Sequence, residues 1–162
     1  MVISNKIETL INFRIQEEEN SSRLYKSMQV WLDYVGYSGA SKLFEKYSNE
    51  ELIHANWSYE YLLNLNLKPK LSVIKQPKED FKSLSQVIAL TLEHEITITN
   101  QCKELAIQAQ KDEDYMTLGL AQRYLKEQCE ELKKAQYLVD RLELFGDEPI
   151  ALRMLDEEMG NI

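Results

Sequence analysis

Glu51 and His54 form a Glu-x-x-His inside a long helical pattern, and His54 is one of only 2 histidines in the chain. Three residues of α-helix bring both side chains onto one face, the spacing by which inward-facing helices of a bundle hold iron or manganese. Alone the motif is common. Three other stretches strengthen it, each with an acid, or a glutamine and glutamate pair, in the middle of an otherwise apolar stripe: Glu18, Glu95, and Gln128 with Glu131. Burying an unpaired carboxylate is costly, and several together also repel one another. Arg14 stands a full turn or more from Glu18, and Arg123 precedes Gln128 by more than a turn, so no inward cation is obvious and one is expected from outside the chain.

Oxygen ligands with a single imidazole suit iron or manganese better than zinc, whose structural sites favour Cys and His, or a purely magnesium or calcium site. Four carboxylates can neutralise two divalent ions, with a glutamate such as Glu51 bridging them. Tyr25, one heptad beyond Glu18, is placed to hydrogen-bond a ligand or give an electron during oxygen chemistry. His94 adjoins Glu95 and so faces away from it, which makes it a surface or supporting residue. Glu50, Glu127 and Glu130 flank the proposed ligands, and charge patterning leaves them either a solvated face or a part of the site.

The elements that must position these residues are helices. The first is expected over about 4–36, with Ser4 as N-cap, a seam of Ile3, Ile7, Leu10, Leu24, Met28, Trp31 and Val35, and a parallel column of Ile11, Glu18, Tyr25 and Leu32. That column selects Glu18 from the run Glu17-Glu18-Glu19 as the inward acid. A second helix over about 40–65 carries Ala40, Phe44, Tyr47, Glu51, His54, Ser58, Tyr61 and Leu65 on one face. The stretch from Asn66 to about Ser83 contains Pro69 and Pro77 and reads as an extended crossover. A third helix over about 84–110 aligns Leu84, Ile88, Thr91, Glu95, Ile98, Cys102, Leu105 and Ala109. The fourth, over about 113–145, opens at Asp112 or Asp114, turns Tyr124, Gln128, Glu131, Ala135, Leu138 and Leu142 inward, and stops at Gly146. A short fifth, over about 149–159, starts on Pro149 and is too apolar for a solvated tail. The fold class is all-α: a single domain over 1–162, a four-helix bundle with one long crossover and a short C-terminal helix.

Composition agrees. Only 5 glycines and 3 prolines interrupt 162 residues that are 44% hydrophobic, enough for one core and one domain. A net charge of -8 argues against a nucleic-acid binder. No apolar run approaches a membrane span, and the N-terminus lacks a signal layout, so a cytoplasmic location is expected. Cys102 and Cys129 have no CxxC spacing and are expected as reduced thiols, Cys102 in the core and Cys129 more exposed.

The segments Glu18 to Tyr25, Glu50-Glu51-Leu52-Ile53-His54, His94-Glu95 and Glu127-Gln128-Cys129-Glu130-Glu131 make the chain resemble a bacterial non-haem ferritin over nearly its whole length. The resemblance implies a ferritin-like bundle with a ferroxidase centre. Glu18, Glu51 and His54 would hold one iron, with Glu51 bridging; Glu95 and Glu131 would hold the second, with Gln128 beside it and Tyr25 next to the centre. It also implies a third iron site toward a cavity, at Glu50, Glu127, Glu130 and Glu131. Fe(II) would be oxidised by O2 or H2O2 and stored as ferric mineral in a 24-subunit cage whose four-fold axis the fifth helix would line.

Related families differ by residue. Bacterioferritins and rubrerythrin-like proteins carry a second Glu-x-x-His where Gln128 and Glu131 stand here. Bacterioferritin binds haem through a methionine where this chain has Leu52, so no haem is expected. A DNA-protecting miniferritin lacks the fifth helix and builds its site between subunits. Arg123, where some bacterial ferritins have tryptophan, and Cys129 depart from the family pattern without removing a ligand. The competing readings are a di-iron oxidase or peroxidase that stores no mineral, and a helical scaffold whose acids are solvated.

Overall fold

The computed structural model describes residues 2–162. Five helices follow one another: α1 (Asn5–Tyr34), α2 (Ser38–Asn64), α3 (Leu84–Lys111), α4 (Tyr115–Phe145) and α5 (Pro149–Met159), with no strand among the described residues. α1 packs along α2 and α3 along α4, and the extended crossover links the two hairpins. No helix among the described residues is long and apolar enough to cross a membrane.

Local chemistry starts most of these helices. The Ser4 hydroxyl accepts from the Ile7 amide at 3.2 Å, Ser83 from Gln86 at 3.1 Å, and Asp114, the residue that opens α4, from Thr117 at 3.0 Å. α2 starts at Ser38 without a side-chain cap of its own. Its cap comes from far along the chain, because the Ala40 amide donates to the Asp156 carboxylate of α5 at 2.7 Å. At that junction a Cβ on Gly39 would lie 1.9 Å from the Asp156 carbonyl oxygen, so only glycine lets α5 approach. Gly146 ends α4 at φ 82, a conformation that favours glycine.

α5 lies against α2 and α4 of its own bundle, burying Leu152, Leu155 and Met159. Arg141 of α4 holds Glu158 through two bonds at 2.6 and 2.5 Å. Ile150 and Met154 stay exposed on its outer side.

The seam expected on α1 is only partly the buried one. Leu10, Leu24 and Trp31 are half-buried and Val35 is exposed, while Ile7, Ile11, Ile15, Tyr25, Met28 and Leu32 fill the interior. The crossover is the reason at one end: Trp31 turns toward it and packs edge-on against Phe81, ring centroids 5.6 Å apart.

Two apolar clusters make the core. One gathers Tyr25, Met28, Phe44, Tyr47, Ile88, Leu138 and Leu155; the other gathers Ile7, Ile11, Ile15, Leu62, Ile98, Cys102, Leu105 and Tyr124. Between the clusters every bundle helix carries buried polar residues, and those residues build the site.

Candidate metal centre

One turn from the middle of each bundle helix faces the others across the gap between the apolar clusters. α1 supplies Glu18, α2 supplies Glu51 and His54, α3 supplies Glu95, and α4 supplies Gln128 and Glu131; all of them are buried. Ligand atoms of Glu18, Glu51 and His54 lie within 4.8 Å of one another. His54 Nδ1 is 3.0 Å from Glu51 Oε2 and 3.8 Å from Glu18 Oε2.

Glu18 is 1% exposed, and neither of its carboxylate oxygens has a hydrogen-bond partner. A buried acid left in that state is costly unless a cation completes it. Burial, with Glu51 close by, holds the Glu18 carboxyl well above the usual range. Glu51 is raised likewise, chiefly by burial and then by Glu95. Glu131 is pushed up to about 7 by burial, with Glu95 and Glu50 adding to the shift and Lys134 opposing it. The acids of four helices therefore sense one another's charge, as a cluster sharing one cation site would.

Glu95 is held from two sides. The Tyr25 hydroxyl donates to Oε1, and the Gln128 amide donates to Oε2 at 2.9 Å. Each oxygen keeps a lone pair, so the carboxylate is oriented and still able to bind a cation. Gln128 also reaches Thr99 Oγ1 at 3.2 Å. His94 is half-buried and pairs with Ser21 Oγ at 2.8 Å, its ring edge-on to Tyr25. It supports the tyrosine that orients Glu95.

His54 is fixed by its surroundings. The Tyr124 hydroxyl donates to its carbonyl oxygen at 2.7 Å, and the Trp57 ring packs 4.8 Å from the imidazole. Arg123 also lies over that indole, its guanidinium carbon 4.0 Å from the ring centroid. The departure at Arg123 thus places a cation one ring away from His54.

The acids flanking these residues divide. Glu127 Oε1 lies 3.7 Å from His54 Nε2, and Glu127, Glu131 and His54 also bring ligand atoms within 4.8 Å of one another. Glu50 and Glu131 converge on Lys134, whose Nζ lies 3.2 Å from Glu50 Oε2 and 3.0 Å from Glu131 Oε1. Glu130 is exposed and shares a surface cleft with Lys133 and Lys134. The four are not gathered around one point.

The expectation that no cation of the chain faces the acids is wrong twice. Arg14 is 1% exposed, and its Nη2 lies 3.6 Å from Glu18 Oε1. A separation of four residues in a helix is one turn on the same face, so Arg14 and Glu18 are neighbours. Gln101 Oε1 accepts from Arg14 Nη2 at 2.8 Å, and Cys102 Sγ accepts from Nη1 at 3.4 Å. Lys134 is the second cation, three residues beyond Glu131. Cys102 is buried, with its thiol pushed up to about 11 by burial, and Cys129 is exposed.

An all-α bundle with a buried carboxylate and histidine cluster defines the class, and comparison with known proteins identifies it. A model of the ferritin-like domain matches residues 8–145. The chain belongs to this family. It is 32% identical to a probable bacterial non-heme ferritin-like protein of Haemophilus influenzae, covering 99% of this chain and 98% of that one. A bacterial non-heme ferritin of Escherichia coli is 30% identical over 94% of this chain and 92% of its own. Among solved structures, an open pore ferritin from the archaeon Archaeoglobus fulgidus superposes with a TM-score of 0.94 at 31% identity, over 98% of this chain and 97% of that one.

Proposed function

We propose that the protein oxidises Fe(II) at the buried cluster and stores the ferric product as mineral inside a cage of 24 copies. The orphaned carboxylate of Glu18, beside Glu51 and His54, carries this reading: it is a prepared place for a cation. The ferritin-like family and the ferritin relatives support iron as that cation. Iron is the substrate, and Glu18, Glu51 and His54 bind one ion while Glu95 and Glu131 bind the next, with Glu51 bridging.

The Glu131 carboxyl, pushed up to about 7, binds a proton and a metal ion in competition, so loading releases a proton there near neutral pH. Anionic oxygen ligands then favour Fe(III) over Fe(II), because the higher charge gains more from each carboxylate. Two adjacent irons together give two electrons to one oxidant. Two protons are taken up in either case: with H2O2 the products are two Fe(III) and two waters, and with O2 they are two Fe(III) and one H2O2. The buried Tyr25 hydroxyl keeps Glu95 in place through this exchange.

The test adds Fe(II) anaerobically to the apo-protein and then admits oxygen. Wild type gives a fast rise in ferric absorbance, and Glu51→Ala and His54→Ala each lose it. An unchanged fast phase in both variants overturns the site. Size-exclusion chromatography checks storage, since a monomer or dimer has no cavity to hold mineral.

A further inference from the structure

The acids on the α2 and α4 side of the centre already hold a cation, and it belongs to the chain. Lys134 Nζ sits between Glu50 Oε2 and Glu131 Oε1 at 3.2 and 3.0 Å, and 5.8 Å from the centre of the Tyr47 ring. These are hydrogen-bond distances for an ammonium on two carboxylates, with an aromatic face beside it. The Lys134 and Glu50 side chains are only about a third exposed, at 32% and 28%, and that of Glu131 is 8% exposed. The two carboxylates and one ammonium carry a net charge of one negative, which is little to hold a divalent ion.

The remaining acids on that side do not restore a site. Glu127 faces His54 Nε2, and these two gather only with Glu131, the acid that Lys134 already holds. A neutral imidazole has one lone-pair nitrogen, so once Nδ1 binds the ion held with Glu18 and Glu51, Nε2 carries a hydrogen and donates to Glu127. Glu127 is then the carboxylate that orients the ligand histidine. Glu130 is exposed in a cleft whose other charged side chains are the cations Lys133 and Lys134.

We propose that Lys134 stands in for a third cation, so that each subunit loads two divalent ions and has no third protein-held site at Glu50, Glu127, Glu130 and Glu131. The proposal rests on the ferroxidase reading and adds its stoichiometry. A third ion has to break both ammonium contacts, whereas the first two ions meet acids in need of charge. Lys134 is therefore the residue that sets how many ions the centre takes.

The test soaks crystals of the assembled wild type, Lys134→Met, Lys134→Gln and Lys134→Arg in Zn(II), which is redox-inert, and locates the ions by anomalous scattering. Wild type and Lys134→Arg are expected to show two ions per subunit, at Glu18, Glu51 and His54 and at Glu95 and Glu131. Lys134→Met and Lys134→Gln, which are one atom shorter and lose the charge, are expected to gain a third between Glu50 and Glu131, a 1.5-fold rise. A third ion in wild type overturns the proposal. So does a count of two in both neutral variants. Absence of zinc at Glu18, Glu51 and His54 in every protein overturns instead the two-metal reading beneath it, and the two failures are told apart by which positions are empty.

Discussion

Arg14 and Lys134 both bring positive charge to the acid cluster, and they do so in opposite ways. Arg14 is sealed in the core, hydrogen-bonds Gln101 and Cys102, and approaches Glu18 at 3.6 Å without bonding it. Lys134 stands at the partly open side and bonds directly to Glu50 and Glu131. The first arrangement tempers the repulsion around Glu18 and leaves its oxygens free for an incoming ion. The second fills the coordination places itself. A resident cation thus either prepares a metal site or replaces one, according to whether it takes the lone pairs.

The largest test of this contrast is Arg14→Met. Removing one partner of a buried ion pair costs about 3–5 kcal/mol, and chemical denaturation of the apo-protein at fixed concentration is expected to show a loss of that order. A loss below about 1 kcal/mol would mean that Arg14 is not compensating Glu18.

A smaller effect comes from pH. Glu131 titrates near 7 in the fold against an ordinary 4.5, so between these values the folded chain holds a proton that the unfolded chain has released. Stability is therefore full below pH 4.5 and falls as pH rises toward 7, by about 3 kcal/mol for this residue. Bound metal replaces the proton and opposes the fall. Lys134 holds the Glu131 value down, so Lys134→Met is expected to move the fall to higher pH, as thermal midpoints of the apo-protein across pH 4–8 would reveal. Apo-protein midpoints that climb over this range would refute the assignment.

The smallest effect is on stability at neutral pH when Lys134 is replaced. Its side chain is 32% exposed, and ion pairs so open to water contribute under about 1 kcal/mol. Lys134→Met should therefore cost far less in denaturation than Arg14→Met while changing the ion count, and a loss above about 2 kcal/mol would make Lys134 a structural tie between α2 and α4.

Much of the centre was legible because helical spacing is a local property. The column of Ile11, Glu18, Tyr25 and Leu32 picks Glu18 out of three consecutive acids, and the alternating steps along α2 put Glu51 and His54 on one face. Arg14 was legible too, as the residue four before Glu18, but a charged side chain is ordinarily expected to turn to water. What kept it inside is Gln101 and Cys102, contributed by α3. The outer half of the α1 seam misled because Trp31 answers to Phe81 of the crossover, a contact that periodicity along α1 does not contain.

The sequence by itself determined the helices, the cap at Ser4 and an aspartate opening for α4, and which residue types meet in the middle of the bundle, since these follow from hydrogen bonds and repeats within a few residues. The tertiary structure decided how charge is shared there. Lys134 of α4 reaches Glu50 of α2, Gln128 of α4 and Tyr25 of α1 hold Glu95 of α3, and Asp156 caps α2 from the far end of the chain. Electrostatic energy depends on distance through space and on burial, and neither is a property of neighbours along the chain.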